Sequence, residues 1–172
     1  MINTDYKIVS LGFLLDPDCM PARYDHLIQN KEKIISELRR LGCKIKSDAE
    51  RLPDEVYAGI GMDPATVGLF RRFLKLYDPD PKKFSEIVRI TDCPEEQSAF
   101  YELYHLPGVK KIRAYLYYRS GYKTVGDLAA AEVSDVIERT ARTIRESHDS
   151  CAVPLPKEVR TQIAVARAFT ME

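Results

Sequence analysis

No sign of charge dominates this chain. Lys plus Arg and Asp plus Glu each number 26 across 172 residues, so no global field would hold the whole molecule against a polyanion at physiological salt. Any contact with nucleic acid has to come from a local patch. CxxC pairs are missing as well: Cys19, Cys43, Cys93 and Cys151 stand far apart, which gives neither a zinc knuckle nor a redox motif. Scattered thiols suit a reducing interior, and the protein reads as cytoplasmic. No run approaches the ~20 apolar residues that span a bilayer, so no membrane partner is expected. The apolar stretch from Ile8 to Leu15 is flanked by Asp5 and Asp16, with Lys7 its only basic neighbour and no small-residue cleavage site after it. It does not read as a signal peptide.

Catalytic signatures are equally scarce. His26, His105 and His148 share no metal-ligand spacing, and no HExxH pair is present. No Ser lies in a GxSxG elbow, and no Cys has an evident His partner. Gly59 and Gly61 precede a helix start but lack the Lys-Ser/Thr of a phosphate-binding loop and the third glycine of a dinucleotide fingerprint. The acid pairs Asp16/Asp18 and Asp78/Asp80 accompany prolines, which explains them as turns. No catalytic residue, metal ligand or cofactor site is therefore assigned, and an enzyme assembled from distant segments rests only on half the chain having no assignment.

What is present is helical pattern. With 45% hydrophobic and 30% charged residues the composition is that of a folded chain, and no repeat of ~20–50 residues is visible. Leu27, Ile28, Ile34, Ile35, Leu38 and Leu41 follow helical spacing from Asp25, with Gly42 as the stop. Residues 43–63 carry Pro53, Gly59 and Gly61 and read as loop and short turns. Asp63-Pro64 opens a helix to Tyr77. Asp78-Pro79-Asp80-Pro81 ends it and opens another, Pro81–Ile90. Pro94 with Glu95 and Glu96 begins the next, Thr124 with Asp127 resembles a capping box, Ser134 is a candidate N-cap for a helix to about Ser147, and Pro156 starts the last helix. Tyr6–Leu15 fits either a short strand or a short buried helix. The fold expected is mainly α, with one short N-terminal strand as an open option, a helical region over residues 1–92 and a second unit over 93–172.

The most specific stretch is Tyr101–Leu128. Two helices meet at Leu106-Pro107-Gly108-Val109, where Gly108 permits the turn, Pro107 holds its entry and Val109 can plug the space between helices. From Gly108 to Gly126 the cations Lys110, Lys111, Arg113, Arg119 and Lys123 occur with no Asp or Glu. That is either a phosphate-contacting patch or a solvated helix face. Six of the ten tyrosines, Tyr101, Tyr104, Tyr115, Tyr117, Tyr118 and Tyr122, surround the hairpin. They could stack on bases, though core and boundary packing is the commoner role. His105, beside the turn, reads as a helix-end cation.

Leu106, Pro107, Gly108, Val109 and Ala114, continuing into Gly121, Thr124, Val125, Asp127 and Leu128, resemble the helix-hairpin-helix family. Over about residues 94–150 the chain is similar to the SAM-like C-terminal domain of the bacterial RNA polymerase alpha subunit. The resemblance implies a C-terminal helix-hairpin-helix domain in a compact helical protein, with the domain boundary near Asp92. In DNA-binding members backbone N–H groups at the hairpin's second helix hold a phosphate. Carried onto this sequence, the nucleic-acid-binding residues are Gly108, Val109, Lys110, Lys111 and Arg113. Lys110 stands where those members have a second glycine, and the corresponding second hairpin, AAAEVSDVIERT, has no glycine turn. The implied function is noncatalytic, sequence-nonspecific contact with DNA phosphates. The alternative is a protein-interaction or structural helical module that has lost DNA binding.

Overall fold

The computed structural model describes residues 5–170. The first four residues of the 1–92 region and the last two of the 93–172 region lie outside it. The described part is 66% helix with twelve α-helices and no strand, an all-α fold as the sequence pattern leads one to expect.

The N-terminal segment takes the helical option. One turn of 3₁₀ helix, Ile8–Ser10, runs into α1, Leu11–Leu14. Among the described residues its one β-like feature is an isolated bridge to the stretch before α4 (Lys46–Arg51): the Ile8 N–H donates to the Lys44 carbonyl and the Lys46 N–H to that of Tyr6, both at 2.9 Å.

The helix expected from Asp25 is split in two, α2 (Asp25–Gln29) and α3 (Lys31–Arg40). At the break, Asn30 sits at φ −105 and ψ 10, and its side-chain amide donates to the His26 carbonyl at 2.8 Å. The competing side-chain bond replaces regular helix geometry there.

Residues 43–63 are not loop. They contain α4 and α5 (Asp54–Gly59), separated by Pro53. Asp48 closes the start of α4 by accepting the N–H groups of Lys44 at 2.8 Å and Ile45 at 3.2 Å. The Tyr57 hydroxyl ties α5 to α4 through the Ala49 carbonyl at 2.6 Å. Helices of six residues complete fewer than two turns, so each shows few buried positions and no legible period.

α6, Pro64–Lys75, forms where Asp63 caps it: its carboxylate accepts the Thr66 N–H at 2.8 Å. Val67, Phe70, Phe73 and Leu74 bury one face, with Phe70 edge-on to Tyr57 and Phe73 edge-on to Tyr24. α7, Pro81–Ser85, ends five residues short of the expected Ile90. The rest of that stretch is held extended along α8 (Pro94–His105). α9 (Lys111–Arg119), α10 (Val125–Ala129), α11 (Val133–Ser147) and α12 (Pro156–Thr170) complete the chain. The Thr124–Asp127 box caps α10 as its spacing suggests. Glu132, not Ser134, precedes α11.

α12 holds the assembly together. It packs against α1, the 3₁₀ turn, α10 and α11, burying Val159, Ile163, Val165, Ala166 and Ala168. Its Phe169 ring meets Tyr6 edge-on at 5.6 Å. Buried side chains from Tyr6 to Ala168 form one cluster drawn from both the 1–92 and the 93–172 regions.

Candidate nucleic-acid interface

The α8–α9 hairpin is built from the residues that suggested it. The Leu106 N–H donates to the Leu103 carbonyl at 3.3 Å, and the Val109 N–H to that of Leu106 at 3.1 Å. Gly108 between them has φ +79, a conformation costly for side chains with a Cβ. Leu106, Val109 and Ala114 are fully buried, so the apolar positions of the turn plug the two helices together. Around Gly108 no heavy atom lies within 4 Å of where a Cβ would stand. The turn is open to solvent there.

The five assigned residues are treated unequally. Gly108, Lys110 and Lys111 are exposed, while Val109 is buried. Lys110 immediately precedes α9 at φ −79 and ψ 157, extended backbone that any residue adopts, and no side chain caps the helix start. The first N–H groups of α9 therefore lack both intrahelical and side-chain acceptors. Among the described residues Lys110 has no carboxylate partner. Lys111 is ion-paired with Glu86. Arg113 turns inward: its side chain is only 15% exposed, it pairs with Glu158 at 2.7 Å, and it donates to the Ala152 carbonyl at 3.0 Å.

The other two cations of the stretch are also engaged. Arg119 pairs with Asp149 at 3.0 Å, and the Lys123 ammonium lies 3.7 Å above the Tyr118 ring. Three of the five cations, Lys111, Arg113 and Arg119, are thus met by acids from elsewhere in the chain. Of the six nearby tyrosines, Tyr104, Tyr117, Tyr118 and Tyr122 are buried, which leaves them no face for a base. Tyr117 donates its hydroxyl to Gln162. Tyr115 is 42% exposed, with the Arg119 guanidinium 5.2 Å from its ring centroid.

Three residues important to the hairpin were not singled out from the sequence: Lys83, Glu86 and Glu158. The Lys83 ammonium donates to the carbonyls of Tyr104 at 3.1 Å, Leu106 at 3.2 Å and Val109 at 2.6 Å. Burial pushes its pKa below the ordinary lysine value, while three converging carbonyls favour the charged form. Glu86 accepts from both Lys111 and the Tyr104 hydroxyl. These bonds hold its carboxyl below the usual range and push Tyr104 up to about 12. His105 stacks on Phe84 with ring centroids 4.3 Å apart. Burial lowers its pKa, which disfavours the cation expected at this helix end. The pairings span 18 to 45 residues, and no local spacing signals them.

Elsewhere the chemistry-bearing residues stay apart. Among the described residues no group of three or more His, Cys, Asp or Glu can hold a metal ion. Asp78 pairs with buried Lys46, and Asp80 caps α7. Asp16 and Asp18 line a surface cleft of about 230 Å³ with Cys19 and Arg160. Beside the hairpin, Pro107 and Gly108 form one wall of a groove of about 410 Å³, with Leu76 and Leu155 exposed along it. No described helix is long and apolar enough to cross a membrane. No protein-family model, curated protein or solved structure matches this chain.

Proposed function

We propose that this is a noncatalytic, nucleic-acid-associated protein of the helix-hairpin-helix type, which contacts backbone phosphates at the α8–α9 turn without reading sequence. The observation that carries this reading is the open Gly108 turn, followed by an uncapped helix start at which Lys110 is exposed. Uncompensated N–H groups at a helix start, the positive end of its dipole and an adjacent ammonium suit a phosphate oxygen. Lys110 in place of a second glycine adds charge without straining the backbone. Arg113, tied to α12, positions that helix against α9. Contact with phosphates is then left to Gly108, Lys110 and Lys111.

Few phosphates are engaged in this reading, so binding is weak and salt-sensitive, with a slope of log K against log[salt] of about −0.9 per phosphate on duplex DNA. The test is anisotropy of labelled single- and double-stranded DNA at several salt concentrations, for wild type and for K110E/K111E. The double variant should bind at least about tenfold more weakly, since two favourable charges become two repulsive ones. Equal binding by the two proteins would remove the site assignment.

A helical protein-interaction module is the second reading. It is favoured by the internal neutralisation of Lys111 and Arg113 and by the apolar groove beside Gly108. Light scattering over a concentration series tests its self-association form. A monomer at every concentration removes a homo-oligomer.

A further inference from the structure

The segment between α7 and α8 lies across the hairpin as a strap. Its backbone is held to α8 by side chains: the Val88 N–H donates to the Tyr101 hydroxyl at 2.8 Å, and the Ile90 N–H to Gln97 Oε1 at 2.9 Å. Gln97 Nε2 returns a bond to the Val88 carbonyl at 2.6 Å. Lys83 anchors the strap's other end under the turn. Between these anchors, Glu86 delivers a carboxylate to Lys111, the first residue of α9.

No residue from Asp78 to Ala99 is fully buried, and Ile87 is 91% exposed. Polar contacts hold the strap down, helped by the partly buried Val88 and Ile90, which pack against the core. Such segments open at a lower free energy than the fold as a whole.

We infer that Glu86 is an internal competitor for the anion that the hairpin binds: its carboxylate occupies the Lys111 ammonium, and phosphate engages that lysine only when Glu86 withdraws. The inference rests on the phosphate-contact reading above and concerns the regulation of that site. The tether keeps the carboxylate at high effective concentration, so phosphate in solution competes at a disadvantage until the strap lifts. In the strapped state Lys110 alone offers unpaired side-chain charge at the turn, and affinity is low.

The experiment titrates labelled double-stranded DNA with wild type, E86Q, K110E, K111Q and E86Q/K111Q at several salt concentrations, with circular dichroism and melting confirming that each variant is folded. Gln is isosteric and keeps an acceptor for the Tyr104 hydroxyl; E86A provides a second reading should E86Q misfold. E86Q should bind about two- to fivefold more tightly than wild type, the scale of one exposed ion pair, with a salt slope steeper by about 0.9. The gain should vanish in the K111Q background. Wild type and E86Q binding alike, with K110E weaker, would overturn the inference and leave the phosphate-contact reading standing. An equal gain with Lys111 removed would show a general charge effect and also overturn it. No binding by either wild type or E86Q at the lowest salt would take down both.

Discussion

Three carbonyls at the end of α8 and in the turn converge on one side chain, Lys83. Truncation by Lys83→Ala leaves them without this donor. Hydrogen bonds to a charged group contribute ~1.5–3 kcal/mol each in favourable settings, but water reaches a partly exposed site. A loss of about 1–2 kcal/mol in urea unfolding is expected. Gly108→Ala isolates a different term. Since nothing lies within 4 Å of the added Cβ, its cost is that of the left-handed backbone alone, about 1 kcal/mol. His105 gives a pH signature. Its folded pKa lies below the ordinary 6.5, so on acidification the unfolded chain takes up the proton first. Its effect is absent above the unfolded value and destabilises the fold progressively as pH falls towards the folded one. His105→Phe, which keeps a ring against Phe84, should flatten stability across that window. An unchanged pH profile would contradict the burial-driven shift.

At the scale of elements, short helices here depend on single capping groups. α10 has five residues, and the Thr124 hydroxyl and Asp127 carboxylate close its start reciprocally. Thr124→Ala should cost about 1 kcal/mol in denaturant unfolding, even though α10 is packed against α8 and α12. The strap depends likewise on Gln97, whose amide serves two backbone groups. Gln97→Ala should speed hydrogen exchange at the Ile90 amide while leaving the amides of α12 protected, because the strap contributes little to the core. Uniform acceleration through α12 would instead mean that the strap and the core open together.

For the whole molecule, α12 joins the N-terminal turn and α1 to α10 and α11. Its Phe169 lies against Tyr6, and its Gln162 receives the hydroxyl of Tyr117 from α9. Cooperative unfolding is the expected result of so continuous a core. Far-UV circular dichroism and tyrosine absorbance should trace coincident transitions, whereas two separated ones would show halves that melt independently. Phe70→Ala, deep in the N-terminal part and fully buried, should lower overall stability by about 3–5 kcal/mol.

Local chemistry made the helical architecture legible. Asp63-Pro64, Thr124 with Asp127 and the apolar faces of α6 and α12 act over three or four residues, and Gly108 with Leu106, Val109 and Ala114 specifies the hairpin in the same way. Helix breaks and short helices escaped because their causes are single side-chain bonds, such as Asn30 to His26 and Tyr57 to Ala49. The hairpin's charges escaped for a stronger reason. In sequence, Lys111 and Arg113 belong to a run of cations, but only folding brings Glu86 and Glu158 to them across 25 and 45 residues. Residue types and caps determined that this chain forms helices and where the turn lies; tertiary packing alone decided which of its charges remain free, because Coulomb partners are set by distance in space and not by separation along the chain.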